Sequence, residues 1–236
     1  MKAVILAGGL GSRLAPFTQI IPKPLLPIGE KSVLELQILR LAQHGVSEIF
    51  IATNYMADYV QAFLGDGSKY NVQLHFSKEQ KPLGTCGPVT LLKDQLDDLF
   101  LLMNGDILTT FDFTSGANFA RGLNVDLTVV TKELVTPFNF GKVLGDGDYL
   151  QAIEEKPDIV FEILAGIYYL SPSVFEFIPH DTYYGIDSLI KDLLARDRKV
   201  GKYRCQEYWL DIGQLHDYQA AQKVYDKHFK DLVAQV

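Results

Sequence analysis

Cysteine is scarce in this sequence: 236 residues include two, Cys86 and Cys205. Two cysteines build no disulfide framework, and they lack the short spacing of thiolate metal sites. They leave either one bridge or two free thiols, and free thiols suit a reducing cytosol. Long apolar runs are also missing. No stretch approaches the roughly eighteen apolar residues of a membrane helix, so a soluble, cytoplasmic protein with no membrane partner is expected. The opening MKAVILAGG sets a lysine before apolar residues, but the run is too short for a secretory signal and ends in glycines. Positive charge is in deficit, with 22 Lys and Arg against 29 Asp and Glu and a net charge of −7. That balance argues against a nucleic-acid partner, which calls for a basic face. It still allows a few cations to converge on a phosphate. His44, His75, His180, His216 and His228 show no metal-ligand spacing, and no Ser-His-Asp or Cys-His set can be assembled. Linkers, low-complexity tracts and internal repeats are absent too, so a single domain over 1–236 is expected.

What is present reads as α/β. Val4–Ala7 is a short apolar run of the buried parallel-strand type. Residues 32–45 read as a helix with Ser32 as N-cap and Gly45 past its end. A strand at 48–53, a helix stopping near Gly65, a strand at 72–77 and an apolar strand at 99–106 follow. Strand alternating with helix implies a mostly parallel sheet with helices on both faces. From about residue 125 the pattern turns β-rich: a strand at 126–133, a hairpin over 141–157 turning at Asp146–Gly147, and a strand at 162–171. A helix over 185–200, with Asp187 or Ser188 near its cap, and a closing helix at 213–229 complete the reading.

In such sheets ligands collect beyond the carboxyl ends of the strands. Polar residues lie at three of these ends: the turn GGLGSR (8–13), Ser77–Glu79, and Asn104–Asp106. PLGTCG (82–87) opens a helix nearby, so its backbone N–H groups can face a ligand. By itself GLGSRL is a weak signal. It fails the dinucleotide fingerprint at Leu14, and a plain turn with a surface arginine fits equally well. Lys23 strengthens the case, because Pro22 and Pro24 fix the backbone on both sides and hold an extended segment in place. Asp106 ends an apolar strand, where a carboxylate serves a cation, a helix N-terminus or a cap. Asp211 in YWLDIG is a second such carboxylate, and two carboxylates plus phosphate oxygens make a Mg²⁺ site. EEKP (154–157) holds another proline-backed lysine, though an exposed, salt-bridged edge strand explains it as well.

The ordered set GGLGSRL…PKPLLPI, PLGTCGP, NGD, FG, EEKP, AGIY and WLDIG runs over nearly the whole chain. It resembles the sugar-1-phosphate nucleotidylyltransferases, most of all the mannose-1-phosphate guanylyltransferase branch. The resemblance implies a Rossmann-like fold with a β-rich sugar-binding extension and no appended β-helix. The implied reaction is NTP plus sugar 1-phosphate giving NDP-sugar and pyrophosphate, with Mg²⁺ as cofactor. It further implies that Leu6, Ala7, Gly8, Gly9, Gly11, Ser12, Arg13, Lys23, Glu79, Gly84, Thr85 and Asp106 meet the nucleotide. Gly141, Glu155, Lys156, Leu164 and Gly166 would meet the sugar phosphate. Arg13, Lys23, Asp106, Lys156 and Asp211 would carry the chemistry, with Asp106 and Asp211 on the metal. GTP with a mannose-like hexose or heptose 1-phosphate is the expected pair, in a protein that can form homo-oligomers. A uridylyl-, thymidylyl- or cytidylyltransferase is the alternative, as is a silent NDP-sugar-binding regulator. Leu164 stands where many members carry asparagine, which puts an apolar wall in place of a polar sugar contact.

Overall fold

Lys2–Leu6 form strand β1 in the computed structural model, which describes residues 1–233. Next come a small hairpin of β2 (Pro27–Ile28) and β3 (Lys31–Ser32), then α1 (Val33–Gln43), β4 (Glu48–Thr53) and α2 (Ala57–Leu64). They lead into β5 (Gln73–Lys78), β6 (Phe100–Asn104), β7 (Ile107–Thr109), α3 (Phe113–Leu123) and the long β8 (Leu127–Pro137). A second hairpin, β9 (Lys142–Leu144) with β10 (Ala152–Glu154), precedes the longer β11 (Asp158–Leu170). α4 (Ile186–Ala195), β12 (Val200–Cys205), β13 (Trp209–Asp211), α5 (Leu215–His228) and α6 (Lys230–Val233) follow.

Seven strands form the central sheet in the order β12-β8-β11-β6-β1-β4-β5. All share one direction except β11, which runs antiparallel to β6 and β8. Alternation along the strands feeds two cores. Ala3 and Ile5 of β1 join one face with Leu34, Ile38 and Leu41 of α1 and Val60 of α2. Val4 joins the other with Val89, Leu92 and the α4 residues Leu189 and Leu193. A parallel sheet covered on both faces needs this double apolarity, which is why its strands read as continuous runs. Each fully buried Leu or Ile contributes about 1.5–3 kcal/mol over leaving it exposed.

α1 begins where its cap dictates. The Glu35 N–H donates to Ser32 Oγ (3.2 Å) and the Ser32 N–H returns to Glu35 Oε2 (2.8 Å), a reciprocal box that satisfies two otherwise orphan donors. Gly45 follows the helix at φ 75°.

Several local expectations are corrected. The Lys23 segment is not extended: Lys23–Leu25 form one 3-10 turn, flanked by extended Pro22 and Leu26. Pro24 sits in the first turn, where a missing N–H costs nothing. The residues after PLGTC also wind as 3-10 helix, Gly87–Gln95. α4 ends at Ala195 rather than near 200; its N-cap is Gly185, with Asp187 in the first turn as expected. The polar turn after it passes through Asp197 at φ 55°, and Val200–Cys205 then pairs with β8, so ladder hydrogen bonds replace helical ones. Cys86 and Cys205 are both buried free thiols. Among the described residues no helix is long and apolar enough to cross a membrane.

Candidate active site

The turn after β1 is shaped by one glycine in particular. Gly11 has φ 61°, and a side chain there would begin 2.9 Å from both Lys23 Cβ and Thr18 Cγ2. The turn therefore packs against the proline-rich segment, and Thr18 Oγ1 fastens it by donating to the Gly11 carbonyl (2.8 Å). Lys23 is delivered to the end of β6, where its Nζ lies 2.5 Å from Asp106 Oδ2.

Asp106 meets Asp211 through two very short strands. β7 and β13 pair antiparallel with Asp211 opposite Ile107, and the Ile212 N–H donates to the Asp106 carbonyl (2.9 Å). One side of Asp211 is open to solvent. Its carboxyl is nonetheless held above the ordinary aspartate range, first by removal from water and then by the charge of Asp106. Lys23 and Arg13 pull the other way, and the Arg13 guanidinium lies beside Gly213. A carboxylate held up by the charge of a second one suits a divalent cation, whose charge relieves the repulsion. Among the described residues no cluster of three or more His, Cys, Asp or Glu offers a metal cage. That donor set matches Mg²⁺, which takes one or two carboxylates and completes its shell with phosphate and water.

Two adjoining hollows flank the glycine turn. One, of about 350 Å³, is lined by Gly9, Gly11, Ser12, Arg13, Lys23 and Asp106. The other, of about 490 Å³, is lined by Gly8, Asn54, Glu79, Gly84, Thr85 and Tyr183 among others. Leu6, Gly9, Leu10 and Asp106 border both, so the two make one cleft. Ala7 lies just beneath, buried, its N–H bound to the Ala52 carbonyl (2.7 Å). Glu79 Oε2 accepts the Leu83 N–H at 3.0 Å, and burial pushes this carboxyl upward. Thr85 Oγ1 accepts from the Ile186 N–H at 2.6 Å, so the same hydroxyl that borders the cleft also caps α4.

The residues expected around the sugar phosphate are disposed differently. Gly141, Glu155, Lys156 and Leu164 are exposed on the β-rich extension, and none borders either hollow. Gly141 and Glu155 are neighbours: a side chain at 141 would begin 3.2 Å from Glu155 Oε2. Gly166 is the link to the cleft. It sits at φ 69° inside the bulge of β11, where a side chain would begin 2.8 Å from Asn104 Nδ2. Trp209 Nε1 donates to the Ala165 carbonyl (2.7 Å) and ties β13 to the same bulge. Asn54 and Tyr183 went unmarked in the sequence. Asn54 follows an apolar strand, so the strand-end rule that found Asp106 reaches it too. Tyr183 comes in from the loop before α4 and has no such signal.

The sequence profile of the family described as "Nucleotidyl transferase" matches residues 2–228. The chain belongs to this family. Within it, the mannose-1-phosphate guanyltransferase of Schizosaccharomyces pombe is 34% identical over 92% of this chain. The probable mannose-1-phosphate guanylyltransferase 1 of Oryza sativa subsp. japonica is 33% identical over 95%. This nucleotidyl transferase chain spans 62% and 64% of the lengths of those two relatives. Among solved structures, HddC from Yersinia pseudotuberculosis complexed with GMP-PN is similar, at 28% identity and a TM-score of 0.75. The match covers 95% of this chain and 99% of that one.

Proposed function

We propose that the cleft transfers a nucleotidyl group from an NTP to a sugar 1-phosphate, giving NDP-sugar and pyrophosphate. The observation that carries this reading is the meeting of Arg13, Lys23, Asp106 and Asp211 at one glycine turn. In this reading the sugar-phosphate oxygen attacks the α-phosphorus of the NTP, the bond to the bridging oxygen breaks, and its electron pair leaves with pyrophosphate. No general base is needed, because a phosphate monoester with a second pKa of about 6 is already anionic at neutral pH. The task is to bring two polyanions into line, which calls for positioning and charge neutralisation.

Gly8, Gly9, Gly11 and Ser12 face the triphosphate, while Arg13 and Lys23 neutralise the departing pyrophosphate. Asp106 and Asp211 hold Mg²⁺, which when bound offsets the charge of the reacting phosphates. Glu79, Gly84 and Thr85 surround base and ribose. Glu79 offers acceptor oxygens that suit the N1–H and N2–H₂ donors of guanine. Gly141, Glu155, Leu164 and Gly166 take the sugar, and Lys156 its phosphate. The relatives' names and the GMP-PN complex favour GTP with a mannose-like hexose or heptose 1-phosphate. A single domain over 1–236, a cytoplasmic location and a homo-oligomeric assembly belong to the same proposal. The free thiols Cys86 and Cys205 support the location.

The test is a matrix of four NTPs against several sugar 1-phosphates with Mg²⁺, scored by pyrophosphate release. The expected result is release that requires both substrates and is fastest with GTP. Silence across the whole matrix refutes the proposal and favours an NDP-sugar-binding regulator.

A further inference from the structure

Helix α1 carries polar side chains where its inner face meets β7. Gln37 is buried, at 3% exposure, in a stripe otherwise made of Leu34, Ile38 and Leu41. Its Nε2 donates to the Asn104 carbonyl at 2.9 Å and to the Ile107 carbonyl at 2.7 Å. Those two carbonyls bracket the Gly105–Asp106 turn. One turn of helix further on, Arg40 Nη2 donates to the carbonyls of Thr110 and Phe111, both at 3.1 Å. β7 is therefore gripped at both ends from α1, and β7 is the strand whose pairing brings Asp211 to Asp106.

The geometry fixes which end of the Gln37 amide does the holding. Two carbonyl oxygens require the NH₂ group, since an amide oxygen turned toward them would repel both. The other end, Oε1, is buried with no hydrogen-bond partner among the described residues. Among the described residues no other hydrogen bond engages this side chain, so its hydrogen bonding serves the turn alone. A core position that only needed filling would hold leucine, as its neighbours do.

We infer that Gln37 is a positioning residue, holding the Asp106 turn so that its carboxylate and that of Asp211 face the same cation. It touches neither substrate nor metal and acts through the backbone on either side of Asp106. This inference rests on the assignment of Asp106 and Asp211 to nucleotidyl transfer. Supporting shells of this kind are worth about 10–100-fold in metal affinity or activity when removed.

Gln37→Leu keeps the volume and removes both donors. The expected result is a kcat lowered about tenfold or more, with the KM for sugar 1-phosphate changed less than about twofold. Affinity for Mn²⁺ in the presence of GTP, read from the EPR signal of the free ion, should fall several-fold. If Gln37→Leu does not fold, Gln37→Glu supplies the test. Its protonated acid donates one of the two bonds, whereas its carboxylate repels both carbonyls. The ratio of its kcat to the wild-type value should therefore fall as pH rises. A folded Gln37→Leu with wild-type kcat and Mn²⁺ affinity overturns the inference, even if it melts earlier, and so does a Gln37→Glu that matches wild-type kcat and Mn²⁺ affinity at every pH. Wild-type protein is the control: if it releases no pyrophosphate, the nucleotidyl-transfer reading fails instead.

Discussion

Around the glycine turn, several elements of the core converge. Lys23 comes from a proline-braced 3-10 turn to meet Asp106 at the end of β6. Asp211 arrives on β13, and Gln37 clamps the backbone from α1. The β-rich extension is built the opposite way. Beyond Lys132, β8 loses its pairing with β12 and keeps only β11, so a two-stranded ribbon projects from the sheet. Several of its charges pair within the extension or with β12: Lys202 with Glu162, Arg204 with Glu133, and Lys142 with Glu154. Its apolar residues stand in solvent, Phe140 at 70% and Tyr149 at 85% exposure. The proposed nucleotide half of the site is therefore built on the core. The proposed sugar half is a ribbon continuous with β8 and β11, tied to the cleft side through Gly166 and the Trp209 bond and to β12 by ion pairs. Substitutions in the first half should strike the chemistry, and substitutions in the second should strike sugar recognition.

The largest effect is expected at the carboxylates. Asp106→Asn or Asp211→Asn should lower turnover by about two orders of magnitude or more, the scale of losing a transition-state charge contact. Pyrophosphate release should also stop in excess chelator. Full activity with chelator present would break the distinction between the halves at its strongest point.

The lysines test the division directly. Lys23→Ala should weaken NTP binding by about tenfold, as expected for a lost charge-assisted contact. Lys156→Ala should instead raise the KM for sugar 1-phosphate by a similar factor. Isothermal titration with NTP and steady-state kinetics separate the two outcomes. If Lys156→Ala abolished NTP binding instead, the ribbon would belong to the nucleotide half.

A smaller change is expected at Leu164, exposed on β11 opposite Thr131. Leu164→Asn should shift the preference ratio toward mannose or glucose 1-phosphate by about five- to tenfold, the size of one recovered hydrogen bond. A sugar 1-phosphate panel with an unchanged ratio would remove Leu164 from sugar recognition.

The smallest effect is one of stability, and it opposes the first. Burial and the Asp106 charge raise the proton affinity of Asp211, so its ionised form costs stability in the folded protein. That cost is absent below the ordinary aspartate pKa and grows as pH rises through the elevated folded value. At neutral pH without ligands, Asp211→Asn should therefore melt about 1–2 °C higher than wild type, a modest gain for a partly solvated group. The gain should shrink as the pH is lowered toward 4. Calorimetry across that range would expose the opposite sign.

What was legible in the sequence follows the same split. β1, β4 and β6 are buried on both faces, so they read as unbroken apolar runs, and α1 announces itself through Ser32, Glu35 and Gly45. The carboxylates at strand ends stood out because a charge that stops an apolar run is conspicuous. β12 went unmarked, its first residue Val200 alone falling in the expected helix, because VGKYRC alternates weakly and lies at the sheet edge. β7 and β13 have three residues each, too few for any period to register. The reversal of β11 depends on tertiary pairing alone. Gln37 was invisible as well, since the carbonyls it binds lie 67 and 70 positions further along the chain.

The β7–β13 pair sets an order on synthesis. A chain grows from its amino end, so the glycine turn, Lys23 and Asp106 emerge while β13 is still unmade. Until residue 211 has left the ribosome, no nascent chain can present both carboxylates, however well its first strands have folded. The proposed two-carboxylate metal site is therefore completed only after β13 has emerged and paired with β7.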